Sequence, residues 1–296
     1  MSGRLTWRQL ADLVAVQAPE LSGPRPGLPE SCAVCRGPAP PGSRRCYPCD
    51  LHHQVAQGAL ADLVVPIAFA VKGGPHASRL WQYKSARIAG GDNDLPGSGS
   101  GPGPGSGPDS GPEPGPGSGS GADVRAQAAC RLLALLTVFL RDHGRCLWLA
   151  AGVGRPSHVA VVPSARTRPG QHPLASLLAP YLTLPWAGLA ARPGQHPVRE
   201  LDPDRFLAAP VPRARVLLID DTWTTGATAQ SAAMALRRAG ARSVVIVVLG
   251  RHVGPGPAGA GGLAAGRGPT RPAPFLAPFL AAACAVHPGR AAARGP

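Results

Sequence analysis

Apolar residues along this 296-residue chain fall into two kinds of run. In the first they recur every three or four positions, the spacing that lines one face of a helix. Residues 5–16 read this way. So does the stretch beginning at Asp123, where Leu132, Leu135, Leu136 and Phe139 share a stripe and Gly144 is the expected terminator. Pro173–Leu182 and Ala227–Ala239 are further helical segments, the latter closed by Gly240. In the second kind the apolar residues are contiguous and often β-branched: Leu63–Val71, His158–Pro163, Arg215–Ile219 and Ser243–Leu249. Short runs of this sort suit strands buried on both faces. Strand, loop, helix and strand follow one another from Arg215 to Leu249. That is a βαβ unit, and it predicts an α/β fold: a parallel sheet flanked by helices.

Composition changes the picture in one place. The chain holds 39 glycines and 36 prolines, and residues 89–122 are almost pure Gly, Ser and Pro. That stretch cannot bury enough apolar area to offset its ordering entropy, so it reads as a tether inserted into a surface loop. The expected organisation is an N-terminal helix and linker at 1–30, a cysteine module at 31–55, a main domain at 60–252 interrupted by 89–122, and a low-complexity tail at 253–296. The hexapeptide RPGQHP occurs at Arg168–Pro173 and again at Arg192–Pro197, too few copies for a repeat architecture.

Charge and cysteine content narrow the partners. The net charge is +14, and the insertion contributes Asp92, Asp94, Asp109 and Glu113 but no Lys or Arg. The rest is therefore more basic still, which favours polyanions: nucleic acid or small phosphorylated ligands. No leader-like or membrane-spanning run is visible, and the expected compartment is the cytoplasm. Cys32, Cys35, Cys46 and Cys49 read as C-x2-C-x10-C-x2-C. Two such hairpins can complete a tetrahedron of thiolates, the pattern of a closed structural Zn²⁺ site. The linking RGPAPPGSRR has too little apolar content to fold without the metal. Two disulfides are the alternative, disfavoured in a reducing compartment.

The chemistry concentrates in Val216–Thr228, VLLIDDTWTTGAT. A buried strand runs into two carboxylates, Asp220 and Asp221, and then into Thr222, Thr224, Thr225, Gly226 and Thr228 at the start of a helix. A helix N-terminus offers unpaired N–H groups and partial positive charge, Gly lets the backbone approach a ligand, and threonines add hydroxyl donors. This is a cradle for a phosphate. Neighbouring carboxylates suit a ligand whose phosphate is followed by vicinal hydroxyls, as in ribose 5-phosphate.

The segment resembles the signature of type I phosphoribosyltransferases. The resemblance implies that Asp220 and Asp221 take the ribose hydroxyls, and that Thr224, Thr225, Gly226, Ala227 and Thr228 take the 5-phosphate. It implies the fold of that class, and transfer of phosphoribosyl from phosphoribosyl pyrophosphate to a nitrogen acceptor with Mg²⁺. By position, Ser164, Arg166 and Arg168 in VVPSARTRPGQH are the candidates for pyrophosphate. A four-cysteine ribbon ahead of this signature, with LWQYKS at Leu80–Ser85, is similar to the ComF family of competence-related proteins, although RPGQHP stands where that family has an RGFNQ-like sequence. Two other readings use the same fold: a protein that holds single-stranded DNA on the patch Arg79, Trp81, Tyr83, Lys84 and Arg87, or a sensor that binds phosphoribosyl pyrophosphate without turnover.

Overall fold

The computed structural model describes residues 4–24, 30–56, 58–85, 121–163, 172–193 and 200–255. Its centre is a four-stranded, all-parallel sheet. The strands are β1 (Leu63–Val71), β2 (His158–Val161), β5 (Arg215–Trp223) and β6 (Ser243–Val253), in the spatial order β1-β6-β5-β2. Pro66 is tolerated within β1 because that strand lies at the sheet edge, where a missing donor breaks no ladder.

Alternation along the strands sends side chains to two cores. Val216, Leu218, Val244, Ile246 and Val248 pack on one face, with α6 (Ala227–Arg238) and the four cysteines. Leu217, Ile219, Val245, Val247 and Leu249 pack on the other, with α3 (Pro75–Ser85), α4 (Gly121–Ala150) and α5 (Pro173–Leu178). A sheet covered on both faces needs continuous apolar strands, which is why these segments show no polar alternation. Helix α1 (Trp7–Gln17) starts at a Thr6/Gln9 capping box and lays Leu10 and Val14 on Ala134 and Val138 of α4.

Several boundaries differ from the sequence expectation. Helix α4 runs through Gly144 to Ala150. Fully buried Leu147 lies beyond that glycine, and burying a leucine, worth about 1.5–3 kcal/mol, outweighs the roughly 1 kcal/mol cost of a mid-helix glycine. Helix α5 stops at Leu178 rather than Leu182. Strands β5 and β6 each extend four residues past their apolar runs, because they pair with one another through Asp220↔Val248, Thr222↔Gly250 and Trp223↔Arg251. A two-stranded antiparallel hairpin of β3 (Leu189–Ala191) and β4 (Phe206–Ala208) carried no clear periodicity in the sequence. The cysteine segment includes a helix, α2 (Tyr47–Val55), with Cys46 as its N-cap residue and Cys49 on its buried side.

Candidate functional site

The acid pair lies on the last turn of pleat of β5 rather than in the loop after it. Asp221 is buried, and its carboxylate accepts from Lys84 Nζ of α3 at 3.0 Å and from the Thr222 hydroxyl at 3.0 Å. Lys84 also donates to Thr222 Oγ1 at 2.6 Å. The side chain of Asp220 accepts from the Asp221 backbone N–H at 2.8 Å. Asp220 keeps part of its surface open to solvent, yet protein atoms ring its carboxyl. Burial first, and the Asp221 charge second, push its pKa up to about 7, while Lys84 pulls the other way.

The chain leaves β5 at Trp223, passes the exposed Thr224, and turns into α6 at Gly226. Gly226 has φ 88, the left-handed region that a residue with a Cβ enters at a cost. The Trp223 indole lies directly over it: a Cβ at 226 would fall 2.0 Å from Cζ2 of that ring. Trp223 is 1% exposed, and its Nε1 has no hydrogen-bond partner among the described residues. Thr225 Oγ1 accepts from the Ala227 N–H at 3.3 Å and so occupies one of the free amides at the helix start. Thr228 is half-buried one residue further along α6.

Beside this loop opens a cavity of about 690 Å³, bounded by Lys72, Gly73, Ser78, Trp81, Gln82, Thr224 and His252. Its volume is in the range of small-molecule pockets. Sequence reasoning did not single out Lys72 or His252. They enter the site because β1 and β6 are neighbours and both end at this edge of the sheet. Ser164, Arg166 and Arg168 lie outside the described residues.

The basic-aromatic segment does not form one surface. Arg79 and Tyr83 are buried, Arg79 pairs with Glu20, Lys84 turns to Asp221, and Trp81 is 70% exposed. Helical geometry separates them, since neighbours in sequence lie on different faces. Arg87 lies outside the described residues.

On the opposite face of the sheet, the Sγ atoms of Cys32, Cys35, Cys46 and Cys49 all lie within 4.8 Å of one another, and all four residues are buried. Crowded in this way, the thiols do not ionise equally. Hydrogen bonds from Cys35, Cys46 and Cys49 lower the pKa of the Cys32 thiol, and the bond to Cys32 raises those of Cys46 and Cys49. A dication at the centre would let all four ionise together, so the donor set fits a soft tetrahedral metal.

No protein-family model matches the chain. No curated protein matches it either. Among solved structures it is similar to the allosteric regulatory enzyme of purine biosynthesis, at 21% identity and a TM-score of 0.25, over 38% of this chain and 26% of that one. It is also similar to a purine phosphoribosyltransferase from Pyrococcus horikoshii, at 18% identity and a TM-score of 0.27, over 43% of this chain and 87% of that one. The chain spans about a quarter of the first neighbour's length. Likeness at this level carries no argument about activity. The class of protein rests on what is directly visible: a parallel sheet flanked by helices, with a four-cysteine cluster against one face. Among the described residues, no helix is long and apolar enough to cross a membrane.

Proposed function

We propose that this protein is a type I phosphoribosyltransferase of the ComF kind. In this reading it binds phosphoribosyl pyrophosphate with Mg²⁺ and passes the phosphoribosyl group to a nitrogen acceptor in the cytoplasm. One observation carries the reading: the Asp220–Asp221 pair runs within five residues, across a left-handed Gly226, into the N-terminus of α6. The amides and hydroxyls of 224–228 form the phosphate end, and the acid pair forms the hydroxyl end. The adjoining cavity, with Lys72 at its rim, has room for the rest of the ligand.

The chemistry asks little of covalent catalysis. The acceptor nitrogen forms a bond to C1 as the bond from C1 to the pyrophosphate oxygen breaks, and pyrophosphate leaves with the electron pair. Mg²⁺ would neutralise the leaving group. The protein's part is to hold the ribose ring and stabilise charge as it develops. Lys84 tempers the acid pair, which would otherwise repel an incoming phosphate. The four cysteines hold a structural Zn²⁺ in this proposal, apart from the reacting atoms.

Isothermal titration of phosphoribosyl pyrophosphate into the zinc-loaded protein tests the reading, with and without Mg²⁺. Mg²⁺-dependent binding that Asp221→Ala abolishes, with zinc content unchanged, is the expected result. Unaltered affinity in a folded Asp221→Ala variant would sink the assignment. A second reading, single-stranded DNA binding, is favoured by the exposed Trp81 ring beside the cavity and by the net charge of +14. It predicts oligonucleotide affinity that falls steeply with salt and drops on Trp81→Ala.

A further inference from the structure

The phosphate loop and the cysteine cluster meet at one buried side chain. Arg251, near the end of β6, is 7% exposed. Its Nε donates to Cys35 Sγ at 3.3 Å. Its Nη1 donates to the backbone carbonyls of Trp223 at 3.2 Å, Thr224 at 2.8 Å and His252 at 2.5 Å. Trp223 and Thr224 are where β5 leaves the sheet and the loop begins, so these carbonyls find their partner in a guanidinium. The ribbon closes over the same group at Gly37, where a Cβ would fall 2.7 Å from Nη2 and 2.8 Å from Nε. Among the described residues no carboxylate pairs with Arg251; the side chain it touches is the Cys35 thiol group.

A buried guanidinium needs a counter-charge. Four thiolates around a dication carry a formal charge of about −2, and would supply it. Emptying the site leaves Arg251 buried without its anion, and the two loop carbonyls lose a donor held firmly in place.

We infer that Arg251 is a positioning residue that makes the conformation of the 222–228 loop depend on metal in the four-cysteine site. The inference rests on the metal reading of the cluster and is independent of which ligand the loop takes. Filling the site locks the loop entrance, and stripping it loosens a segment far from the cysteines in sequence. The fold thereby ties the four-cysteine cluster to the geometry of the candidate phosphate cradle.

Hydrogen–deuterium exchange, read by mass spectrometry on the full-length protein, tests this. In wild type, stripping the metal with a chelator is expected to speed exchange in peptides covering 222–228 by roughly tenfold or more, the scale of one lost hydrogen bond to a charged group. Strand residues 244–248 stay protected. In metal-loaded Arg251→Met the loop already exchanges at the stripped rate, and stripping adds nothing. Zinc affinity of that variant, measured by chelator competition, falls by the same factor, because coupling between two sites is reciprocal. Gly37→Ala serves as the second variant: it displaces the guanidinium without removing it and should speed loop exchange in the metal-loaded protein. An unchanged loop on stripping wild type overturns the inference. So does undiminished metal sensitivity in Arg251→Met, or opening of 244–248 together with the loop, which would mean general unfolding. If phosphoribosyl pyrophosphate fails to bind while this exchange pattern holds, the proposed function falls and the coupling stands.

Discussion

Adding one carbon at Gly226 should damage the loop for two separable reasons. The backbone there has φ 88, and a residue with a Cβ pays about 1–2 kcal/mol to adopt it. The new methyl would also lie 2.0 Å from Cζ2, 2.3 Å from Cε2 and 2.7 Å from Cη2 of Trp223. That ring is 1% exposed and belongs to the core shared by α6 and the cysteine cluster, so it cannot swing aside without moving packed neighbours. Overpacking of this kind costs about 1–3 kcal/mol. Gly226→Ala should therefore lower unfolding free energy by about 2–5 kcal/mol. Urea unfolding of the metal-loaded protein, followed by circular dichroism, reads this as a shifted midpoint at constant slope. The double variant Gly226→Ala, Trp223→Val separates the two causes. Removing the ring should relieve the steric part and leave the backbone part, giving a coupling of about 1–3 kcal/mol in a double-mutant cycle. A Gly226→Ala protein as stable as wild type refutes the reasoning, and so does a cost that is the same with and without the ring.

The other expectations concern charge and metal. Cys46→Ser should lose bound zinc and destabilise residues 31–55, read by metal analysis and limited proteolysis; full zinc content would contradict the four-thiolate site. Asp220 has a folded pKa raised above its unfolded value, so the folded state binds more protons and wild-type stability should fall as pH rises from about 4 to about 7. Allowing for solvent screening at this part-exposed position, the loss is on the order of 2 kcal/mol. Asp220→Asn should flatten that slope in urea titrations at several pH values, and an unchanged slope would place the titration elsewhere. Lys84→Met removes the ammonium group 3.0 Å from the buried Asp221 carboxylate, and should cost about 1–2 kcal/mol at pH 7. Its loss should shrink as pH falls and Asp221 protonates; a cost independent of pH would argue against the ion pair.

What the sequence determined by itself is what local pattern encodes. Contiguous apolar runs bounded by Pro, Gly or charge specify strands covered on both faces, and β1 occupies the predicted Leu63–Val71. The order strand, acid pair, small hydroxyl residues, Gly and helix is likewise local, because a helix N-terminus is built from consecutive residues. Cysteine spacing is local too, and the four sulfurs converge, although the second pair comes from the start of helix α2 and not from a hairpin. Tertiary structure decided everything that depends on which segments become neighbours. The ends of β5 and β6 could not be read from their polar composition, since Asp220 and Thr222 remain in the sheet through pairing with Val248 and Gly250. Helix α4 outran Gly144 because of where Leu147 lands. Lys84 belongs to the acid pair only because α3 covers that face of the sheet, and Arg251 joins the cysteine cluster to the loop after β5 only because β6 lies beside β5. The Lys84–Asp221 and Arg251–Cys35 contacts span well over a hundred residues of chain. Their energy comes from burial and from the counter-charges that burial demands, quantities that no window of sequence contains.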